Sequence, residues 1–193
     1  MQELLKLLSD SKFHSGEELG GVLGVTRATV WKKLKKLEAI GVTVHSVKGK
    51  GYRIPYRLEL LSHELLREHG MPQGLRTCLP FETDSTNEEV KKQIGRGEPL
   101  PVLVSTERQT QGRGRRGRNW QGGVARNLAL SLGWRFENGA GSIEGLSLAI
   151  GVAIARVLKQ CGVDEVGLKW PNDIQVRGKK ICGILLEMVA DQD

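Results

Sequence analysis

The stretch Glu107-Arg-Gln-Thr-Gln-Gly-Arg-Gly-Arg-Arg-Gly-Arg-Asn-Trp120 holds the densest chemistry in the sequence. Arg108, Arg113, Arg115, Arg116 and Arg118 set five guanidiniums within eleven residues that contain no acid, and Gly112, Gly114 and Gly117 free the backbone between them. Like charges repel and glycines lose much entropy on ordering, so the segment is expected to be mobile alone and to order around an anion. Forked guanidinium contacts, with backbone N–H groups brought close by the glycines, suit a phosphate or a carboxylate. Trp120 is then placed to cover an aromatic base. Two other readings stay open at this level, an RGG-like RNA-binding segment and a solvated loop. A single copy between expected strands is unlike the repeated tails of the former.

Two shorter segments carry further polar chemistry. Lys169-Trp-Pro-Asn-Asp173 falls where one expected strand ends and a hairpin begins. Pro171 fixes the backbone there, so Asn172 and Asp173 are presented at a sheet rim, where an amide can read an adenine edge and a carboxylate can organise a metal or an amine. Asn-Asp is also ordinary turn chemistry. Asp84-Ser-Thr-Asn87, followed by Glu88 and Glu89, reads as a helix N-terminus whose hydroxyls and amides are either plain caps or holders of a polar ligand.

The elements that must position these residues form a mixed α/β pattern after Leu75. Strands are expected at Arg76 to Phe81, Val102 to Glu107, Leu128 to Trp134, Val166 to Trp170, Ile174 to Val176 and Lys180 to Val189. Ser147 to Gln160 reads as an almost wholly apolar helix, buried against the sheet and stopped by Gly162. Ahead of them, Leu4, Leu5, Leu7 and Leu8 mark a first helix, and Ser15-Gly-Glu-Glu18 has the capping-box form that starts a second. After a tight turn at Gly24, Thr26 caps a third helix that runs to Ile40, with Val30, Leu34 and Leu37 as its core stripe and Gly41 as its stop. Two helices joined by a short glycine turn are a helix-turn-helix. The strand through Val42, Val44 and Ser46, the turn Lys48-Gly-Lys-Gly51 and the return at Tyr52 to Ile54 add a wing. The third helix and the wing turn are basic, which makes Thr26, Arg27, Thr29, Lys32, Lys33, Lys48 and Lys50 the expected contacts to a nucleic-acid groove and backbone. A small solvated helical domain, with lysines that serve only solubility, is the plainer alternative.

Composition frames this organisation. The chain has 193 residues and a formal charge of +7, with 11 basic against 6 acidic residues among the first 60, so most of the excess lies in the helix-turn-helix module. Hydrophobic content of 39% supports a folded core and argues against wholesale disorder. Cys78, Cys161 and Cys182 are scattered, with no metal-ligand spacing, which fits a reduced, cytoplasmic compartment. No stretch has the length of a membrane span, so no membrane partner is expected. The expected organisation is a winged helix-turn-helix over residues 1–60, a linker with a short helix over 61–75, and a second domain over 76–193.

Taken in order, Asp84-Ser-Thr-Asn87, Gln109, Gly112-Arg-Gly-Arg-Arg-Gly-Arg118, Lys169-Trp-Pro-Asn-Asp173 and Lys180-Ile-Cys-Gly183, behind a winged helix, resemble the bifunctional biotin protein ligases that are also biotin operon repressors. The resemblance covers essentially the whole chain. It implies an α+β protein in which a winged helix-turn-helix precedes a mixed α/β biotin/lipoate-ligase-like catalytic domain. It implies formation of biotinyl-5′-AMP from biotin and ATP with Mg²⁺, then transfer of biotin to a lysine of a biotin carboxyl carrier protein, such as that of acetyl-CoA carboxylase. By the same resemblance, Ser85, Thr86, Asn87, Gln109, Arg113, Gly114, Arg115 and Lys180 bind biotin, and Arg115, Arg118, Trp120 and Asn172 bind ATP. Lys180 and Arg115 carry the catalytic charge balance, and Asp173 is a candidate for the Mg²⁺ shell. The adenylate doubles as corepressor and favours a homodimer on operator DNA.

The family pattern continues past the strand matched by Lys180 to Met188, so a catalytic domain incomplete at its C-terminus is expected. That leaves a rival reading, a DNA-binding transcriptional regulator inactive as a ligase. A lipoate or octanoate attachment enzyme fits the Gly/Arg segment and the winged helix less well.

Overall fold

A computed structural model of the protein describes residues 1–137 and 143–189. The chain forms two compact units, one of Met1–Gln111 with Gln121–Gly133, the other of Gly112–Trp120 with the chain from Trp134 onward. The expected helix-turn-helix and the start of the expected second domain both fall in the first of these units.

The first unit begins with α1 (Gln2–Leu7), α2 (Gly16–Leu23) and α3 (Arg27–Ala39). Ser15 caps α2, accepting from the Glu18 N–H, and Glu18 answers with its carboxylate to the Ser15 N–H, so two otherwise orphaned donors are satisfied. Gly24 closes α2 in the left-handed region at φ 63°, and Thr26 caps α3. The far end of α3 is a Schellman turn: Gly41 (φ 89°) donates to Glu38 O at 3.0 Å and Val42 to Leu37 O at 3.0 Å. That turn draws Val42 into the core with Leu37. The first wing strand therefore starts later than the expected Val42, at His45, giving β1 (His45–Val47) and β2 (Gly51–Arg53).

His14 and Tyr52 exchange backbone hydrogen bonds of 2.9 and 2.8 Å, tying the wing to the loop before α2. Only glycine fits at 51, since a Cβ there would lie 2.0 Å from the His14 carbonyl oxygen. The His14 ring bridges Glu18 (Nδ1, 2.8 Å) and Asp10 (Nε2, 3.1 Å). Burial pulls the imidazole pKa down, but the hydrogen bonds and charges of the two carboxylates outweigh it and hold it above its ordinary 6.5. A raised folded-state value makes this clasp fully effective below pH 6.5 and lost as pH rises through that value. The urea midpoint of the full chain is expected to fall as pH rises above 6.5. His14→Gln should flatten that fall, whereas an unchanged slope would contradict the role given to the ring.

The core of this module contains Leu4, Leu5, Leu8, Leu19, Val30, Leu34, Leu37, Val42 and Ile54, and also Val124, which is 5% exposed. Phe81, Tyr56, Leu58, Leu60 and Ala125 pack around it. Arg126 stacks on Tyr56 at 4.4 Å, and Ala125 N–H donates to Glu107 O. Residues far beyond the expected linker thus complete the helix-turn-helix core. The linker itself is held: the Leu61 N–H donates to the buried Glu107 carboxylate at 2.7 Å, and α4 (His63–Glu68) places His63 Nδ1 2.7 Å from the Thr77 hydroxyl.

Beyond it come β3 (Arg76–Cys78), β4 (Glu82–Thr83), α5 (Thr86–Gly95), β5 (Val102–Thr106), β6 (Arg108–Gln109) and β7 (Ala129–Gly133). β5 lies between β3, parallel, and β7, antiparallel, and α5 covers this sheet through Val90 against Val102 and Val104. β4 pairs parallel with β6. The strand expected over Arg76 to Phe81 ends at Cys78, and the next strand, β4, begins only at Glu82 and belongs to a different sheet. Pro80, which has no N–H to donate, stands at the break.

The second unit has α6 (Leu146–Gln160) packed on an antiparallel sheet of β8 (Val166–Lys169), β9 (Asp173–Val176) and β10 (Lys179–Gly183), with β9 central. The strand expected through Val189 ends at Gly183, and residues 184–189 take no strand conformation. The expectation that α6 is buried is also corrected. Only Gly151 is buried along it, and Leu148, Val152 and Val157 are exposed. A helix apolar on all sides needs cover on all sides, whereas the described sheet of this unit meets one of them. No helix among the described residues is long and apolar enough to cross a membrane.

Candidate functional site

In the first unit the polar residues expected to hold a ligand form one network. Ser85 is the N-cap of α5, 4% exposed, and its side chain makes no capping hydrogen bond. Thr86 donates to Gln109 Oε1 from its backbone N–H at 2.8 Å and from its hydroxyl at 3.1 Å. The register of β4 on β6 brings these two together, because Thr83 pairs with Gln109 three residues before the helix starts. Gln109 commits its carbonyl to Thr86, which leaves its NH₂ as a donor. Ser131, absent from the sequence expectation, completes the set. From β7 its hydroxyl lies 2.8 Å from Thr86 Oγ1 and hydrogen-bonds Asn87. Thr110 and Gln111 tether Asp84 at 3.0 and 2.8 Å. The result is an uncharged array of hydroxyls and amides at the start of α5.

In the second unit the Gly/Arg segment is a closed hairpin. Arg113 bridges Asn119, Gly114 N–H donates to Arg118 O at 2.7 Å, and Trp120 N–H donates to Gly112 O at 2.7 Å. The tip, Arg115–Gly117, turns through positive φ at Arg116 (59°) and Gly117 (68°). The guanidinium of Arg113 pairs with Glu187 at 3.0 Å, a partner the sequence offered no signal for. Arg115 donates to Asn172 Oδ1 at 3.3 Å, and Asn172 is fixed in turn by its Nδ2 on Ile184 O at 2.8 Å.

Lys180 lies 2.7 Å from Asp173 and 5.3 Å from the centre of the Trp120 ring. Gly183 explains how they come so close, since a Cβ there would stand 3.1 Å from Lys180 Cε and 3.4 Å from Trp120. Arg115, Trp120, Asn172, Asp173 and Lys180 are thus brought together, with Arg115 and Lys180, like Arg116 and Arg118, exposed to solvent. This is a cationic cluster beside an indole face, chemistry suited to a phosphate attached to an aromatic base.

Asp173 is claimed by Lys180, and the described residues hold no group of three His, Cys, Asp or Glu that could ligate a metal. The donor set around Asp173 therefore does not fit the expected Mg²⁺ shell. Burial pushes the Cys182 thiol above its ordinary value, so this neighbour of the cluster is a protonated thiol at neutral pH.

The basic face expected to meet DNA is laid out on α3 and the wing. Thr26 is committed to its cap, accepting from Thr29 N at 3.3 Å with the two hydroxyls 3.0 Å apart. Arg27 reaches Glu17 at 2.9 Å in a solvent-exposed pair, which is worth little and yields readily. Lys32, Lys48 and Lys50 are exposed and Lys33 half-buried, and no ion pair engages them among the described residues.

Residues 80–193 match the biotin/lipoate A/B protein ligase family, and residues 1–53 match an HTH domain. Over 97% of its length the chain is 42% identical to the bifunctional ligase/repressor BirA of Salmonella typhimurium and 41% identical to that of Escherichia coli. It spans 58% of the length of each of these relatives. Its fold is similar to that of the Leishmania major biotin protein ligase solved with biotinyl-5-AMP, with a TM-score of 0.51 and 28% identity over 62% of this chain and 54% of that one. With its second half matched throughout and an HTH domain ahead of it, the chain belongs to the biotin/lipoate A/B protein ligase family.

Proposed function

We infer that the chain activates biotin with ATP to biotinyl-5′-AMP, passes biotin to a carrier-protein lysine, and uses the adenylate as corepressor when its winged helix binds operator DNA as a homodimer. The observation that carries this reading is the cluster of Arg115, Asn172, Lys180 and Trp120 around the Gly/Arg hairpin. In the first step a carboxylate oxygen attacks the α-phosphorus and pyrophosphate leaves. In the second the carrier amine attacks the acyl carbon and AMP leaves. Lys180 and Arg115 balance the charge that gathers on the phosphoryl oxygens, Trp120 covers the base, and Asn172 reads its edge. The neutral array of Ser85, Thr86, Asn87, Gln109 and Ser131 matches a ureido ring, which both donates and accepts. Arg113 and Gly114 serve the carboxylate, and Arg118 the nucleotide. Mg²⁺ accompanies ATP on the phosphates. A hairpin ordered over the mixed anhydride keeps water from it.

The test is biotin-dependent exchange of labelled pyrophosphate into ATP by the full chain, followed by labelling of a purified carrier domain. Exchange that needs biotin is the expected result. A folded sample that binds duplex DNA without any exchange would instead favour the purely regulatory reading.

A further inference from the structure

Trp31 has no part in the chemistry above, and it stands on the helix expected to enter a nucleic-acid groove. It is the fifth residue of α3, whose Val30, Leu34 and Leu37 are buried, yet its own ring is 50% exposed. Its surface neighbours are cations and small residues: Arg27, Ala28, Lys32 and Lys35 are all exposed. Tryptophan carries the largest apolar area of any side chain, so covering the exposed half of this ring on a groove-facing helix would be favourable. The Lys35 ammonium lies 5.8 Å from the ring centre and is itself paired with Glu38 at 2.7 Å, which steadies the indole in place.

The second helix of a helix-turn-helix enters the major groove with its N-terminal residues toward base edges. Along α3 the cations Arg27, Lys32 and Lys35 suit phosphates or guanine edges, and Thr26 and Thr29 spend their hydroxyls on the cap. Trp31 is the one large apolar surface on this side of the helix. The major groove offers one apolar group to meet it, the 5-methyl of thymine. The excess of basic over acidic residues in the first 60 fits a duplex rather than a protein as the occupant.

We propose that Trp31 is a specificity-determining residue that reads a thymine methyl group in the major groove. The inference rests on the DNA-binding reading given above, and the experiment separates the two. A duplex is selected from a random-sequence library by the full chain with biotin and ATP present, and each thymine in it is then replaced by uracil, which removes only the methyl.

Wild type should lose about fourfold in affinity at one thymine, the worth of one buried methyl group. Trp31→Ala should bind the thymine and uracil duplexes alike, with the salt dependence of wild type, because no phosphate contact is lost. Trp31→Leu, which keeps an apolar surface, should retain part of the discrimination. Equal thermal midpoints of the three proteins show that the fold is unaffected. A uracil penalty that persists in Trp31→Ala, or none in wild type, overturns the proposal while leaving DNA binding intact. Failure to select any duplex overturns the DNA-binding reading and this inference with it.

Discussion

Replacing Lys180 with glutamine should slow biotin adenylation by about 10²–10³-fold, or about 3–4 kcal/mol, measured as biotin-dependent pyrophosphate exchange. The charge on the phosphoryl group grows as the carboxylate attacks, and a cation already in place stabilises that growth without reorganisation. Lys180 is held there by Asp173 at 2.7 Å and by the Trp120 face at 5.3 Å. It is partly exposed on β10 and contributes little to any core, so the variant should unfold at the wild-type temperature. Most of the loss should fall on turnover, with the KM for biotin changed far less, because the neutral array at α5 is untouched. Asp173→Asn frees Lys180 from its resting partner and should cost at most about tenfold, since the carboxylate positions the cation and takes no phosphate itself. Comparable losses in the two variants would assign the site to the ion pair as a unit and contradict the role given to Lys180.

A substitution far from any ligand should have the second largest effect. Val124→Asp is expected to destabilise the helix-turn-helix by about 3–5 kcal/mol, and Val124→Ala by about 2 kcal/mol. Val124 is 5% exposed within the core formed by α1, α2 and α3, so an aspartate there buries a charge with no partner in reach. Native-state hydrogen exchange is the measurement, read at the amides of Leu34 and Leu37. Faster exchange at those positions follows if the core is completed by residues 121–127. If the winged helix were self-sufficient through residue 60, exchange at α3 would stay at the wild-type rate.

Local signals were legible in the sequence wherever they acted over a few residues. The capping box at Ser15, the cap at Thr26, the glycine stop at Gly41 and the stripe of Val30, Leu34 and Leu37 each depend on neighbours within one or two turns, and each is where its residue types place it. The candidate site was legible as residue types, because glycines and arginines at short spacing are unusual however the chain folds. Its geometry was not. Ser131 sits on a strand 45 residues from its partner Thr86, and an alternating strand gives a lone serine no mark of function. Glu187 carries no motif of its own, and only the fold places it against Arg113. Val124 was hidden because Gly-Gly-Val-Ala reads as a loop, and only tertiary contact turns its valine into a core residue. The apolar run of Leu146 to Leu158 was rightly a helix, but hydrophobicity states what a face prefers and not whether something covers it.

Hydrogen exchange of the full chain with and without biotinyl-5′-AMP tests most directly whether the Gly/Arg hairpin is the anion-clasping element on which adenylation depends. Strong slowing is expected at Gly112 to Arg118 when the adenylate is bound, and loss of that slowing in Arg115→Ala, which should also release the adenylate faster. Identical exchange across Gly112 to Arg118 in the two states would contradict that role.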